Sequence, residues 1–252
     1  MLACLMDLNP LQWATGALGA ILVGISKTGL AGLSALSVAV FAQVFPSKQA
    51  TGLVLPLLIL GDFLAVLIYR QHAQWRHLRK LFPWTAAGVV LGYFTLAHVS
   101  DRGARYLIGA IIICLAGLSY WWRSQSTRAE QRALSVHWSV GASIGIAAGF
   151  ITLIANAAGP LMAMYFVAMR LPKLEYVGTA AVFFMLLNLF KVPFMVDLGL
   201  INFASIKFNL MLAPGVLLGV AAGRWLLARI NQNAFEQTVL ILSATAGILL
   251  IL

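Results

Sequence analysis

Residues 51–69 read TGLVLPLLILGDFLAVLIY, nineteen residues that carry one charge, Asp62. Wound as an α-helix, this stretch is about 28 Å long, close to the ~30 Å hydrocarbon core of a bilayer. A buried helix of a soluble protein can look similar, so the whole chain has to decide. Of its 252 residues, 62% are hydrophobic and 10% are charged, where a soluble domain has about a quarter charged. So few charges cannot cover a water-facing surface. They suffice where the exterior faces lipid, and there the backbone must bond to itself, so the apolar segments are helices.

Outward from this stretch the same pattern repeats. Towards the amino terminus lie Leu11 to Ile25 and Leu30 to Phe45; towards the carboxyl terminus lie Leu81 to Ala97 and Ala104 to Trp122. A polar stretch, RSQSTRAEQRALS, spans Arg123 to Ser135. Five more apolar segments follow: Val136 to Ala155, Gly159 to Met169, Tyr176 to Val196, Phe203 to Leu227 and Phe235 to Leu252. The expected architecture is an all-α polytopic transmembrane bundle. It divides into residues 1–123, a polar cytoplasmic linker at 124–136, and residues 137–252. The start, MLACLMDLNPLQW, has no lysine or arginine before its apolar run, unlike a cleaved secretory signal. Its first segment is therefore expected to belong to the fold. Cys4 and Cys114 give no disulfide or metal framework.

The two halves resemble each other. GLVLPLLILGDF from Gly52 matches GTAAVFFMLLNLF from Gly178, which sets Asp62 against Asn188. PWTAAGVVLG from Pro83 matches PGVLLGVAAG from Pro214, and Gly24 falls on Gly149. The offset is 125 residues for Gly24, 126 for Asp62 and 131 for Gly88. Such spacing is the internal symmetry of secondary transporters. Charge then indicates the relation between the halves. If each short opening pair crosses an even number of times, eleven basic residues face the cytoplasm and four face out, with Lys27 and Lys191 kept inside the membrane. A single crossing per pair removes that bias. Two inverted repeats, each beginning with a broken or hairpin helix, are expected.

The net charge of +10 follows from the same loops. In a membrane protein it reads as topology signal and contact with anionic lipid headgroups, not as nucleic-acid binding. An exterior that is apolar all round is also compatible with a homodimer.

An ionisable group within a span costs several kcal/mol unless it is paired or hydrated, so it marks function. Lys27 lies in GISKTGLAG, at the break between two short segments, with Ser26, Thr28, Gly29 and Gly32 around it. Helix-start amides, glycines that allow close approach, hydroxyls and an ammonium together form an anion site. The bland alternative is a lysine snorkelling to the interface. The matching break, TLIANAAGP, offers Thr152, Asn156 and Gly159, for substrate or for an interhelical bond. Asp62 and Asn188 face one another across the halves, and Asp62 can pair with a lysine or take up a proton that accompanies substrate. Lys191, followed by Val192-Pro193 in a proline-distorted helix, is expected either to snorkel or to join Asp62 and Asn188 in coupling or an ion pair; Asp197 is expected to be solvated. The histidines fall at segment ends without metal-ligand spacing, and no P-loop or nucleophile motif is present. A transporter with no cofactor, no metal and no catalytic residues is expected, not an enzyme.

GISKTGLAG, then PSKQATGLVLPLLILGDFLAVLIYRQHAQWRHLRKLFPWTAAGVVLG, and in the second half GFITLIANAAGPLMAMYF with LEYVGTAAVFF, resemble the TauE/SafE sulfite exporter family over nearly the whole chain. Many members carry a longer glycine run where this chain has Ser26-Lys27-Thr28-Gly29. The resemblance implies a bacterial inner-membrane permease for a small anion such as sulfite or an organosulfonate. The residues are also compatible with an anion channel on the same scaffold. A non-transporting assembly protein is disfavoured, since no docking domain is visible.

Overall fold

The computed structural model describes residues 10–28, 37, 40–41, 45–129, 138–231, 234 and 237–238. Its elements are α1 (Pro10–Thr28), α2 (Ser47–Tyr69) with a 3-10 turn at Arg70–His72, α3 (Trp75–His98) and α4 (Asp101–Ala129). They continue as α5 (Trp138–Ala155), α6 (Gly159–Ala168), α7 (Lys173–Asp197) and α8 (Phe203–Arg229). Among the described residues there is no strand. The chain is an all-α polytopic bundle, and five of these helices are long and apolar enough to cross a membrane: α2, α3, α5, α7 and α8. Prolines 56, 83, 193 and 214 lie inside helices, as membrane helices tolerate.

Several helices run past the expected segment ends, and two of these boundaries change the reading. α4 does not stop at Trp122 but runs to Ala129, into the polar stretch. Arg, Gln and Ala there are good helix formers, and neither Gly nor Pro interrupts them. α1 does not stop at Ile25 but includes Ser26, Lys27 and Thr28. Those three residues form the last turn of a helix and are not part of an open break. Gly29 and Gly32 lie outside the described residues.

The packing pairs helices across the two halves. α1 lies along α8, and α5 lies along α3, each pair running parallel. At the first crossing a Cβ on Gly24 would overlap the backbone of Val216 to Val220; at the second a Cβ on Gly149 would overlap the backbone of Thr85 to Val89. Only glycine lets the helices approach so closely. Gly24 and Gly149 are the residues that the halves align, and the partners include Gly219 and Gly88, which are also aligned.

α2 and α7 pack against each other between these pairs, running antiparallel: Gly52 abuts Leu200 at one end, and Gly178 abuts Tyr69 and His72 at the other. The Asp62–Asn188 match therefore joins two helices of opposite direction. The end of the bundle at Tyr69 collects exposed Arg70, Arg76, Arg79 and Lys80 with Arg170. Lys173 joins them, its Nζ donating to the carbonyls of Leu227 in the last turn of α8 and of Ile230 just beyond it. The opposite end holds Lys48, which donates to Val99 O. α5 leaves the basic end, turns at Asn156, and α6 returns to Arg170, so the pair is a hairpin.

Candidate functional site

The centre of the bundle holds a chain of polar side chains drawn from four helices. Lys27 Nζ of α1 lies 2.8 Å from Asp62 Oδ1 of α2, and both side chains are buried. Asn188 of α7 donates from Nδ2 to Asp62 Oδ2 at 2.6 Å. Its Oδ1 accepts from Lys191 Nζ at 3.1 Å. Lys191 Nζ also donates to Thr152 O at 3.0 Å, Thr152 Oγ1 at 3.2 Å and Asn156 Oδ1 at 2.5 Å. Asn156 in turn donates from Nδ2 to Thr51 O at 2.7 Å, and Thr51 Oγ1 donates to Ile154 O at 3.1 Å. The network runs without a gap from α1 to the α5–α6 turn.

Local structure explains each position. Asn156 sits at φ +49° between the two half-helices, a left-handed conformation that asparagine tolerates better than most residues. Its amide then bridges α2 and Lys191. α6 starts beyond it with Pro160 in its first turn, where the missing N–H costs nothing. Lys27 is placed by the last turn of α1, with its stem against Gly61 and its ammonium 4.8 Å from the centre of the Phe184 ring. A Cβ at Gly61 would crowd that stem.

Beside this network lies a cavity of about 30 Å³, lined by Ser26, Lys27, Leu58, Asp62, Thr152, Asn156, Ala180, Ala181, Phe184 and Asn188. That is room for about two waters. Ser26 and Lys27 come from the first break of the sequence, Thr152 and Asn156 from the second, and Asp62 and Asn188 from the matched spans. The structure therefore brings these six residues together. It separates others. Thr28 directs its hydroxyl to Gly24 O and Val220 O, both at 3.1 Å, and serves the α1–α8 crossing. Gly159 is buried at the start of α6 and does not line the cavity.

Lys191 does not snorkel. It is fully buried and held by four oxygens, and α7 continues unbroken through Pro193. The expectation failed because snorkelling needs a path to the interface, and Lys191 lies on the face of α7 turned towards α5. Asp197 is exposed as expected and accepts from Tyr93 OH at 2.6 Å. Sequence reasoning missed Thr51, Leu58 and Phe184. The last two face each other in the same alignment that pairs Asp62 with Asn188, which was the available signal. Among the described residues no cluster of His, Cys, Asp or Glu could hold a metal ion.

Comparisons with known proteins place the chain among membrane transporters. The chain is similar to the probable membrane transporter protein MamO of Paramagnetospirillum magneticum (strain ATCC 700264 / AMB-1), 33% identical over 66 residues. That match covers 26% of this chain and 10% of MamO. No solved structure matches. The family described as sulfite exporter TauE/SafE matches residues 16–250. With a match over nearly its whole length, the chain belongs to the TauE/SafE sulfite exporter family of membrane transporters.

Proposed function

We propose that the protein is a secondary carrier of a small anion, a sulfur oxyanion, organosulfonate or small carboxylate, with its binding site at the central cavity. The observation that carries this reading is a set of buried charges: Lys27 and Asp62 line the cavity with amide and hydroxyl groups beside them, and Lys191 lies behind its wall. Burying charge without compensation is costly. A site with more ammonium than carboxylate is relieved by an anion, and Lys27, Ser26 and the Asn156 and Asn188 amides are the groups that meet it.

The same reading takes the two halves as inverted repeats that rock against each other to expose the cavity alternately. The antiparallel α2–α7 pair and the two matching glycine crossings support it. The basic end faces the cytoplasm of a bacterial inner membrane and contacts anionic lipid. No ATP-binding motif is present among these residues, which favours coupling to a gradient.

Tracer flux into proteoliposomes tests the reading, with sulfite, sulfate, thiosulfate, taurine, sulfoacetate and small carboxylates. The expected result is saturable uptake of at least one anion that accelerates when the same anion is loaded on the far side. Flux that never saturates, or that ignores trans substrate, would make the protein a channel. Folded protein that moves no anion would refute the proposal.

A further inference from the structure

Two ionisable side chains line the cavity, Lys27 and Asp62, and a third, Lys191, lies behind its wall on Thr152, Asn156 and Asn188, so the charges can be counted. Lys27 and Asp62 form an ion pair. The state of Lys191 follows from its partners. Its Nζ faces Thr152 O, Thr152 Oγ1, Asn156 Oδ1 and Asn188 Oδ1. Neither amide can be turned over without loss, because the Asn156 nitrogen serves Thr51 O and the Asn188 nitrogen serves Asp62. A neutral amine would aim its lone pair at one of these oxygens; an ammonium has only donors to offer. Lys191 is therefore the charged form, and no carboxylate among the described residues pairs with it.

Among the described residues, the helices around Asp62 add no other charge to the cavity lining. α1 offers Lys27, and α7 offers Asn188 and Lys191. α5 turns Thr152 to the cavity, the α5–α6 turn adds Asn156, and α8 brings Val216 beside Gly61. The charged residues of α4 stand at its ends, Asp101, Arg102 and Arg105 at one and Arg123 and Arg128 at the other. The empty site thus carries one net positive charge.

Asp62 in this state occupies the donors that an anion needs, the Lys27 ammonium and the Asn188 amide. It is a built-in stand-in for substrate. We infer that the site accepts one net negative charge per cycle: a monoanion enters alone, and a dianion enters only with one proton, taken by Asp62. The inference rests on the carrier reading above. When a monoanion displaces Asp62 from Lys27, the carboxylate stays ionised on Asn188 and the site is neutral. When a dianion does so, the site would hold one excess negative charge in a dry interior. Neutrality returns when the freed Asp62 Oδ1 takes a proton from the water on the entry side, forming a carboxyl O–H bond. The proton leaves on the exit side as Asp62 returns to Lys27. Both kinds of cycle move the same net charge, and only one moves a proton.

Proteoliposomes with an enclosed pH dye and a set membrane potential test this, with methanesulfonate as the monoanion and sulfate as the dianion. The expected result is one proton per sulfate, none per methanesulfonate, and an equal single charge per turnover for both. In Asp62→Asn, sulfate flux should lose its dependence on pH and its proton. If that variant does not fold, the wild-type stoichiometries decide alone. A proton carried with methanesulfonate, none carried with sulfate, or unequal charge per turnover would overturn the inference. So would refusal of sulfate at every pH at which the protein is folded while methanesulfonate passes, or movement of sulfite but of neither probe. Loss of all anion flux, sulfite included, would instead refute the carrier reading beneath it.

Discussion

The two half-helices α1 and α5 end in the same way and are used differently. Each places a lysine ammonium at its C-terminal turn, where the helix dipole favours positive charge. At α1 the lysine is the helix's own Lys27, which faces Asp62 and lines the cavity. At α5 the position that aligns with Lys27 is Thr152, and the ammonium arrives from α7 as Lys191. Lys191 is enclosed by neutral oxygens and does not line the cavity. On the carrier reading, one lysine exchanges a carboxylate for substrate. The other fastens the α5–α6 turn. Asn188 joins the two by holding one amide atom on each side.

This contrast can be broken in several ways. The largest expected effect is from Lys27→Met, which should reduce anion flux to background while protein remains in the membrane; flux measured against quantified protein checks it. Lys191→Met leaves buried oxygens without a donor and should cost about 3 kcal/mol of stability. It is expected to lower the melting temperature far more than Lys27→Arg does. If the two changes are equal in melting and in flux, the division of labour is wrong. Phe184→Leu removes the ring beside the Lys27 ammonium, a contact of about 1 kcal/mol. It should raise the half-saturation concentration a few-fold with little change in maximal rate. Thr28→Val should be smallest, losing about 1 kcal/mol from the α1–α8 crossing and leaving half-saturation unchanged. A large rise in half-saturation there would return Thr28 to the substrate site.

The fold was legible because lipid imposes so strong a rule. A run such as residues 51–69 with one charge has few ways to exist, and repeated runs made a bundle unavoidable. The residues that match between the halves, Gly24 with Gly149 and Asp62 with Asn188, were legible because close crossings demand glycine and membrane-buried polar groups are rare. What the landmarks could not reveal was orientation around each helix axis. Lys27 and Thr28 are adjacent, yet one turns to the cavity and the other to α8. Lys191 looked like a residue able to reach the interface because its length is visible in sequence and its facing is not. The α1 boundary was misplaced for a related reason: Ser26, Lys27 and Thr28 look like loop residues until Val23 O accepts the Ser26 hydroxyl and Gly24 O and Val220 O accept that of Thr28.

The most direct test is to locate the anion itself. Crystals grown with selenite, a sulfite analogue with a strong anomalous signal, should show one selenium peak in the central cavity. Its oxygens should lie within hydrogen-bonding distance of Lys27 Nζ, with Asp62 moved off that ammonium. A selenium peak elsewhere in protein that transports selenite, with the Lys27–Asp62 pair intact, would contradict the assignment of the site.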